Sequence, residues 1–307
     1  MNVLVVIFGG VDHEFLSRWD CKNLKQAQWG KVQVDKLWDQ RDVATQITGQ
    51  LITGKTWEEN GISDRKKVTY KYPNKVIRWL EQSIFPETGK KITARRHAVY
   101  HALGYRVRAF SREFLKDDLT CPCLFDVVEN SKAVYVPAYN PEPTWALDRN
   151  ILDPRQFPAL GVEAALDLRE KHYQWRRKRF MDALLNENPY QLLVGQFQYI
   201  DSSQHLYISY HEEERMDKVE EAYWRMDSFA AEIIGHARGK YDKILFISDN
   251  GAARKKAYKP THHNRPFYSL SEPEALSGFN MRDFFKHILT WVQQPPNAGT
   301  LNSISTK

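Results

Sequence analysis

The amino-acid sequence predicts an α/β protein with a mostly parallel central sheet and helices on both faces. Three apolar runs carry the expectation: VLVVIF at 3–8, QLLVGQFQY at 191–199 and ILFI at 244–247. Each has the length and composition of a strand buried on both faces. Stretches with apolar residues at helical spacing separate them, notably 211–239, where Val219, Tyr223, Met226, Phe229, Ala230 and Ile233 fall on one face. Each run also stops at a short polar cluster, and the carboxyl edge of a parallel sheet is where such folds bind ligands.

The first strand, 3–8, is followed by Gly9, Gly10, Val11, Asp12 and His13. Asp12 has two readings, a ligand at the strand end or the N-cap of a helix through HEFLSRW. Residues 45–62 hold helically spaced Ile47, Leu51 and Ile52, with Gly54 as a stop. Thr45 stands at the helix N-terminus, where free N–H groups favour an anion. It is either a cap or a hydroxyl facing a phosphate. NKVIRWLEQS at 74–83 reads as a surface helix, and 97–110 as helix, Gly stop and strand. His97 and His101 share a helical face, which suits a surface pair better than a metal site lacking a third ligand.

The Pro-rich segment 121–160 is expected to wrap the surface, with one short strand at 133–136. Residues 162–186 form a charged helix in which KHYQWRRKRF carries five basic residues among aromatics. A solvated face with snorkelling stems accounts for it, and contact with nucleic acid is the sharper alternative. Asp201 and His205 follow the strand at 191–199 directly. The strand through 243–248 ends in Ser248, Asp249, Asn250 and Gly251, and His262 and His263 precede a short strand at 266–270. A final amphipathic helix covers 280–292; from Gln293 the tail is rich in Pro, Gly, Ser and Thr and reads as disordered. Residues 1–292 are thus expected to form a single domain and 293–307 a tail.

Composition bounds the rest. A chain of 307 residues with 42% hydrophobic and 27% charged residues is ordinary for a globular protein. Its net charge of +6 is scattered, which allows an anionic partner without demanding one. Cys21, Cys121 and Cys123 make neither a disulfide framework nor a paired CxxC zinc motif. The opening apolar run is too short for a signal-peptide core, and no run approaches the roughly twenty apolar residues of a membrane span. A reducing cytoplasm and no membrane partner are the simplest expectations; the oligomeric state leaves no trace in the sequence.

Three adjacent parallel strands would bring their carboxyl-end clusters together: Asp12; Asp201 and His205; Asp249 and Asn250, with His262 or His263 added from a loop. Carboxylates and imidazoles at that density imply one or two divalent cations.

In their order, VLVVIFGGVD, TQITGQLITGKTWEENGI, QYIDSSQH, ISDNG and THHNRPFYS resemble the type I phosphodiesterase/nucleotide pyrophosphatase branch of the alkaline phosphatase superfamily. The resemblance runs from residue 3 to about residue 290. It implies an alkaline phosphatase-like three-layer catalytic domain with two divalent ions, of which zinc, manganese, magnesium and calcium are the candidates. Asp12, Thr45, Asp249 and Asn250 would surround one ion; Asp201, His205 and His262 or His263 would hold the other. Thr45 would be the nucleophile, with Thr48 in reserve. The implied substrate is a small phosphate ester or nucleotide, cleaved at a diester or pyrophosphate bond through a phosphothreonine.

The sequence departs from the family pattern in three places. Asn250 stands where the family has histidine, and an amide oxygen suits harder cations than zinc. Asn60 replaces the histidine of an H-G-I segment. Counting back from Gly54, the nucleophile position can fall on Ala44, whose methyl cannot attack phosphorus. A sulfatase is excluded because no C/S-x-P-x-R segment occurs. The competing expectation is a degenerate, non-catalytic relative that binds an anion or nucleic acid.

Overall fold

The computed structural model describes residues 1–34, 44–62, 67–71, 75, 79, 108–112, 114–141, 162–209, 214–254 and 261–295. Most of the expected helix at 74–83, His97 and His101, and the tail beyond 295 lie outside the described residues.

Strand β1 (Val3–Phe8) is the centre of a six-stranded sheet. Its neighbours are β6 (Leu192–Phe197) and β7 (Lys243–Ile247), both parallel to it. Beyond β6 lies β5 (Ser131–Val134), also parallel. On the other side β10 (Phe267–Leu270) runs antiparallel to β7, and β2 (Gln28–Lys31) pairs antiparallel with β10 at the edge. The order is therefore β2-β10-β7-β1-β6-β5, an α/β fold around a mixed, mostly parallel sheet. Two-stranded ribbons join β3 (Lys67–Lys71) to β4 (Arg108–Arg112) and β8 (Ala253–Arg254) to β9 (Thr261–His262).

The apolar runs are continuous because both faces of the sheet are covered. Leu4, Val6 and Phe8 point into one core with Leu193, Phe197, Ile244 and Phe246, while Val3, Val5 and Ile7 point into the other with Leu192, Val194, Leu245 and Ile247. That division follows from the two-residue period of a strand. The first core is closed by α1 (His13–Arg18), α2 (Lys22–Lys25), α6 (Val162–Leu184) and α8 (Met216–Ala237). The second is closed by α3 (Ala44–Thr53), α5 (Leu124–Val127) and α9 (Asp283–Gln293). Helix α4 (Trp57–Asn60) follows α3, capped by Thr56 and Glu59 in a reciprocal box.

Helix α8 buries Val219, Ala222, Tyr223, Met226, Phe229, Ala230, Ile233 and Ala237, the stripe its sequence spacing predicts. Gly195 in β6 is where α6 comes closest to the sheet: a Cβ there would stand 2.3 Å from the Phe180 ring. The expected strand at 133–136 forms two residues earlier, at Ser131–Val134. There β5 takes its register from β6, Ser131 opposite Leu192. Edge strand β2 carries no apolar run and was not anticipated. Among the described residues no helix is long and apolar enough to cross a membrane.

Candidate metal centre

The parallel strands β1, β6 and β7 end side by side, and the turns that follow them interlock. Gly9 donates its N–H to the Phe197 carbonyl at 2.8 Å and accepts the Asp201 N–H at 3.1 Å. Gly10 adopts φ +80°, and a Cβ on it would lie 2.6 Å from the Asp201 Cα. Only glycine meets both the left-handed backbone and the close approach. Helix α7 (Tyr199–Gln204) is thereby seated on the end of β1.

Asp201 lies in the first turn of α7, and His205 opens the π-helical turn His205–Ser209 that continues it. Four residues apart on one helical face, they project together. His262 arrives from β9. Asp201, His205 and His262 are all buried, and their ligand atoms lie within 4.8 Å of one another. His262 Nε2 is 2.8 Å from Asp201 Oδ1, His205 Nε2 is 3.7 Å from the same oxygen, and the two imidazole centroids are 4.8 Å apart. Of the adjacent histidines His262 joins this cluster; His263 bonds through its backbone, donating to Ala252 and accepting from Gly251.

A buried polar frame holds the three residues in register. Gln204 donates to the Gly10 carbonyl at 2.9 Å and to the Tyr223 hydroxyl at 3.2 Å, and its amide oxygen accepts the Ala253 N–H at 3.1 Å. Ala253 in turn pairs with His262 across the β8–β9 ribbon. Gln204 therefore couples the helix bearing two cluster residues to the ribbon bearing the third. Tyr223 accepts the Asp12 N–H at 2.8 Å and reaches the Gly10 carbonyl at 3.4 Å. Full burial pushes its phenol well above the usual range.

Asp249 and Asn250 follow β7 as expected and are buried. Asp249 Oδ2 accepts from Gln196 Nε2 at 2.9 Å, whereas Asp249 Oδ1 and Asn250 Oδ1 have no hydrogen-bond partner. Burial pushes the Asp249 carboxyl up to about 7; the charge of Asp201 pushes the same way, and His262 and the backbone N–H groups of Gly10 and Asp249 oppose it. Two buried acceptors without a protein partner are an electrostatic cost that a cation would relieve.

Asp12 is engaged by the protein through both carboxylate oxygens. Its Oδ1 caps α1, accepting from the N–H groups of Glu14 at 2.9 Å and Phe15 at 3.3 Å. Its Oδ2 accepts from the Ala252 N–H at 2.9 Å and from Arg265 Nε at 3.0 Å. Arg265 also pairs with Glu14. The helix-cap reading of the sequence describes this residue.

Thr45 is buried in the first turn of α3, on the opposite side of the sheet from α1 and α8. Thr48 is buried one turn further on, and its hydroxyl has no hydrogen-bond partner. Asn60 is structural: its side chain donates to Thr53 Oγ1 at 3.4 Å and accepts the Ile62 N–H at 2.9 Å.

Sequence reasoning overlooked Gln196, Gln204, Tyr223 and Arg265. A signal existed for Gln196, a lone amide inside the apolar run LLVGQF.

No protein-family profile matches the chain, and no curated protein matches it either. Solved structures do. Murine ectonucleotide pyrophosphatase/phosphodiesterase 5 aligns at 13% identity with a TM-score of 0.43, covering 82% of this chain and 57% of that one. The same murine protein as an inactive variant in complex with AMP, and the human protein, align at 14% identity with the same score and coverage. The chain thus spans little more than half the length of the structures it matches.

Proposed function

We propose that this protein is a metal-dependent hydrolase of phosphate esters, acting on a diester or nucleotide pyrophosphate bond. The observation that carries the proposal is the buried Asp201, His205 and His262 cluster at the carboxyl edge of parallel strands. The motif order described above supports the same reading. Two imidazoles and one carboxylate suit zinc or manganese.

A divalent ion held by these three residues would polarise a phosphoryl oxygen and offset charge developing on it. Asp201 supplies the negative charge, its Oδ1 lying 2.8 Å from His262 Nε2 so that both atoms can face one ion. Gln204 and Tyr223 keep helix and ribbon in register so that the ligand geometry is set before substrate arrives. Thr45 is the proposed nucleophile: its hydroxyl oxygen bonds to phosphorus as the bond to the ester oxygen breaks, its proton going to the departing alcohol, and water then cleaves the phosphothreonine to restore the hydroxyl and release the phosphomonoester. The N-terminus of α3 offers backbone donors to the phosphoryl oxygens.

The test compares hydrolysis of bis-p-nitrophenyl phosphate and p-nitrophenyl phosphate over a panel of Zn, Mn, Mg and Ca salts, with Asp201→Asn as control. Metal-dependent turnover of the diester, lost in the control, is expected. Metal binding without turnover of either ester would favour an anion-binding role. Absence of metal binding would overturn the reading.

A further inference from the structure

We infer that the centre is mononuclear, because the Asp249–Asn250 side lacks the carboxylate that would complete a second cation site, and Gly9 is the position of that gap. The inference rests on the metal-dependent reading above and concerns how many ions the chain holds.

A two-metal centre needs its second ion caged roughly 3.5–4 Å from the first. Asp249 and Asn250 contribute one unpartnered oxygen each, and with the neutral hydroxyl of Thr45 that makes at most three ligands, only one of them charged, of the six or so that a hard cation takes. Asp12 cannot supply another. Its two oxygens already accept four protein donors, one of them the Arg265 guanidinium. Turning the carboxylate outward would uncap α1, strip the Ala252 N–H and leave Asp12 parted from Arg265, whose positive charge would oppose a dication at that spot. The space beside Asp249 is lined instead by Gly9. A Cβ built there lies 3.4 Å from Asp249 Oδ1 and 3.3 Å from Gln198 Cγ, so the Gln198 side chain must give by a few tenths of an ångström. Gly9, unlike Gly10, is not held in the left-handed region, so its backbone accepts a side chain. A carboxylate on that Cβ would stand beside the orphaned Asp249 Oδ1. The chain keeps two remnants of a second site and omits the charge that would make it bind.

The experiment is metal stoichiometry. Metal-free protein is titrated calorimetrically with Zn²⁺ and separately with Mn²⁺, and bound metal is counted by elemental analysis after gel filtration. One equivalent per chain is expected for the native protein, falling to none in Asp201→Asn. Gly9→Asp is expected to bind two, and Gly9→Asp combined with Asp201→Asn one. Two equivalents in the native protein would overturn the inference and leave the metal-dependent reading standing; none would overturn both. Asp249→Asn covers the case in which Gly9→Asp fails to fold: it is expected to retain the single equivalent, and a fall from two to one would show a binuclear centre. A well-folded Gly9→Asp that stays at one equivalent would overturn the assignment of the gap to Gly9.

Discussion

His262 Nε2 and His205 Nε2 stand 2.8 and 3.7 Å from the same oxygen of Asp201, although Asp201 and His262 are 61 residues apart in the chain. Both rings converge on one carboxylate oxygen, so each is expected to be a direct ligand. Outer partners of metal ligands cost about ten- to a hundredfold in affinity when removed, and a direct ligand costs at least the upper figure. His262→Ala and His205→Ala should therefore each weaken Zn²⁺ binding by about a hundredfold or more in calorimetry. Thermal unfolding gives a second measure. Metal at a hundred times its dissociation constant should stabilise the native protein by about 2.7 kcal/mol and neither variant at that concentration. Equal stabilisation of all three would remove the histidines from the coordination sphere.

Thr45→Ala should lower kcat by about a thousandfold, on the order of 4 kcal/mol of barrier, with metal affinity retained. Thr45→Ser should keep part of the activity. Thr48→Ala, which removes a buried hydroxyl lacking a partner, should leave kcat within a fewfold and unfold at a similar or slightly higher temperature. Reversal of the two alanine variants would move the nucleophile one turn along α3.

Gly10→Ala is expected to destabilise the protein by about 3 kcal/mol. The new methyl meets the Asp201 backbone in a left-handed conformation that alanine disfavours. Because the clash falls on the first turn of α7, metal affinity should drop in parallel with the urea midpoint. A variant that loses stability but binds metal at native strength would show that the seat of α7 is independent of its ligands.

Tyr223→Phe removes a buried hydroxyl that accepts the Asp12 N–H and a Gln204 donor. Stranding those two donors should cost about 1–3 kcal/mol of unfolding free energy. A change below about 0.5 kcal/mol would mean that water takes over the hydroxyl's bonds.

Much of this arrangement was legible in the residues. The strands at Val3–Phe8, Leu192–Phe197 and Lys243–Ile247 and the helix Met216–Ala237 announced themselves because both-face burial and a one-face stripe leave opposite periodicities. Asp201 and His205 were legible as a pair four apart directly after a strand, while the third member was legible only as one of His262 and His263, since a loop rather than a strand end was expected to bring it in. Two things were not. Gln28–Lys31, QWGK, is an edge strand whose pairing with β10 owes nothing to an apolar run. The role of Asp12 was undecidable locally, since an aspartate after a strand and before a helix satisfies the pattern of a ligand and of a cap equally. Arg265, 253 residues away, pairs with the cap residue, and no spacing rule reaches that far.

The central position of β1 has a consequence for synthesis. VLVVIF is made before either of its sheet neighbours, which begin at Leu192 and Lys243. For the interval in which some 190 to 240 further residues are made, this strand has both edges unpaired and both apolar faces bare. Such a segment is a template for aggregation, and pairings this distant are slow to close. The nascent chain therefore has reason to depend on a holding chaperone until Ile247 has emerged, and a stalled or truncated product ending before β7 would be an insoluble one.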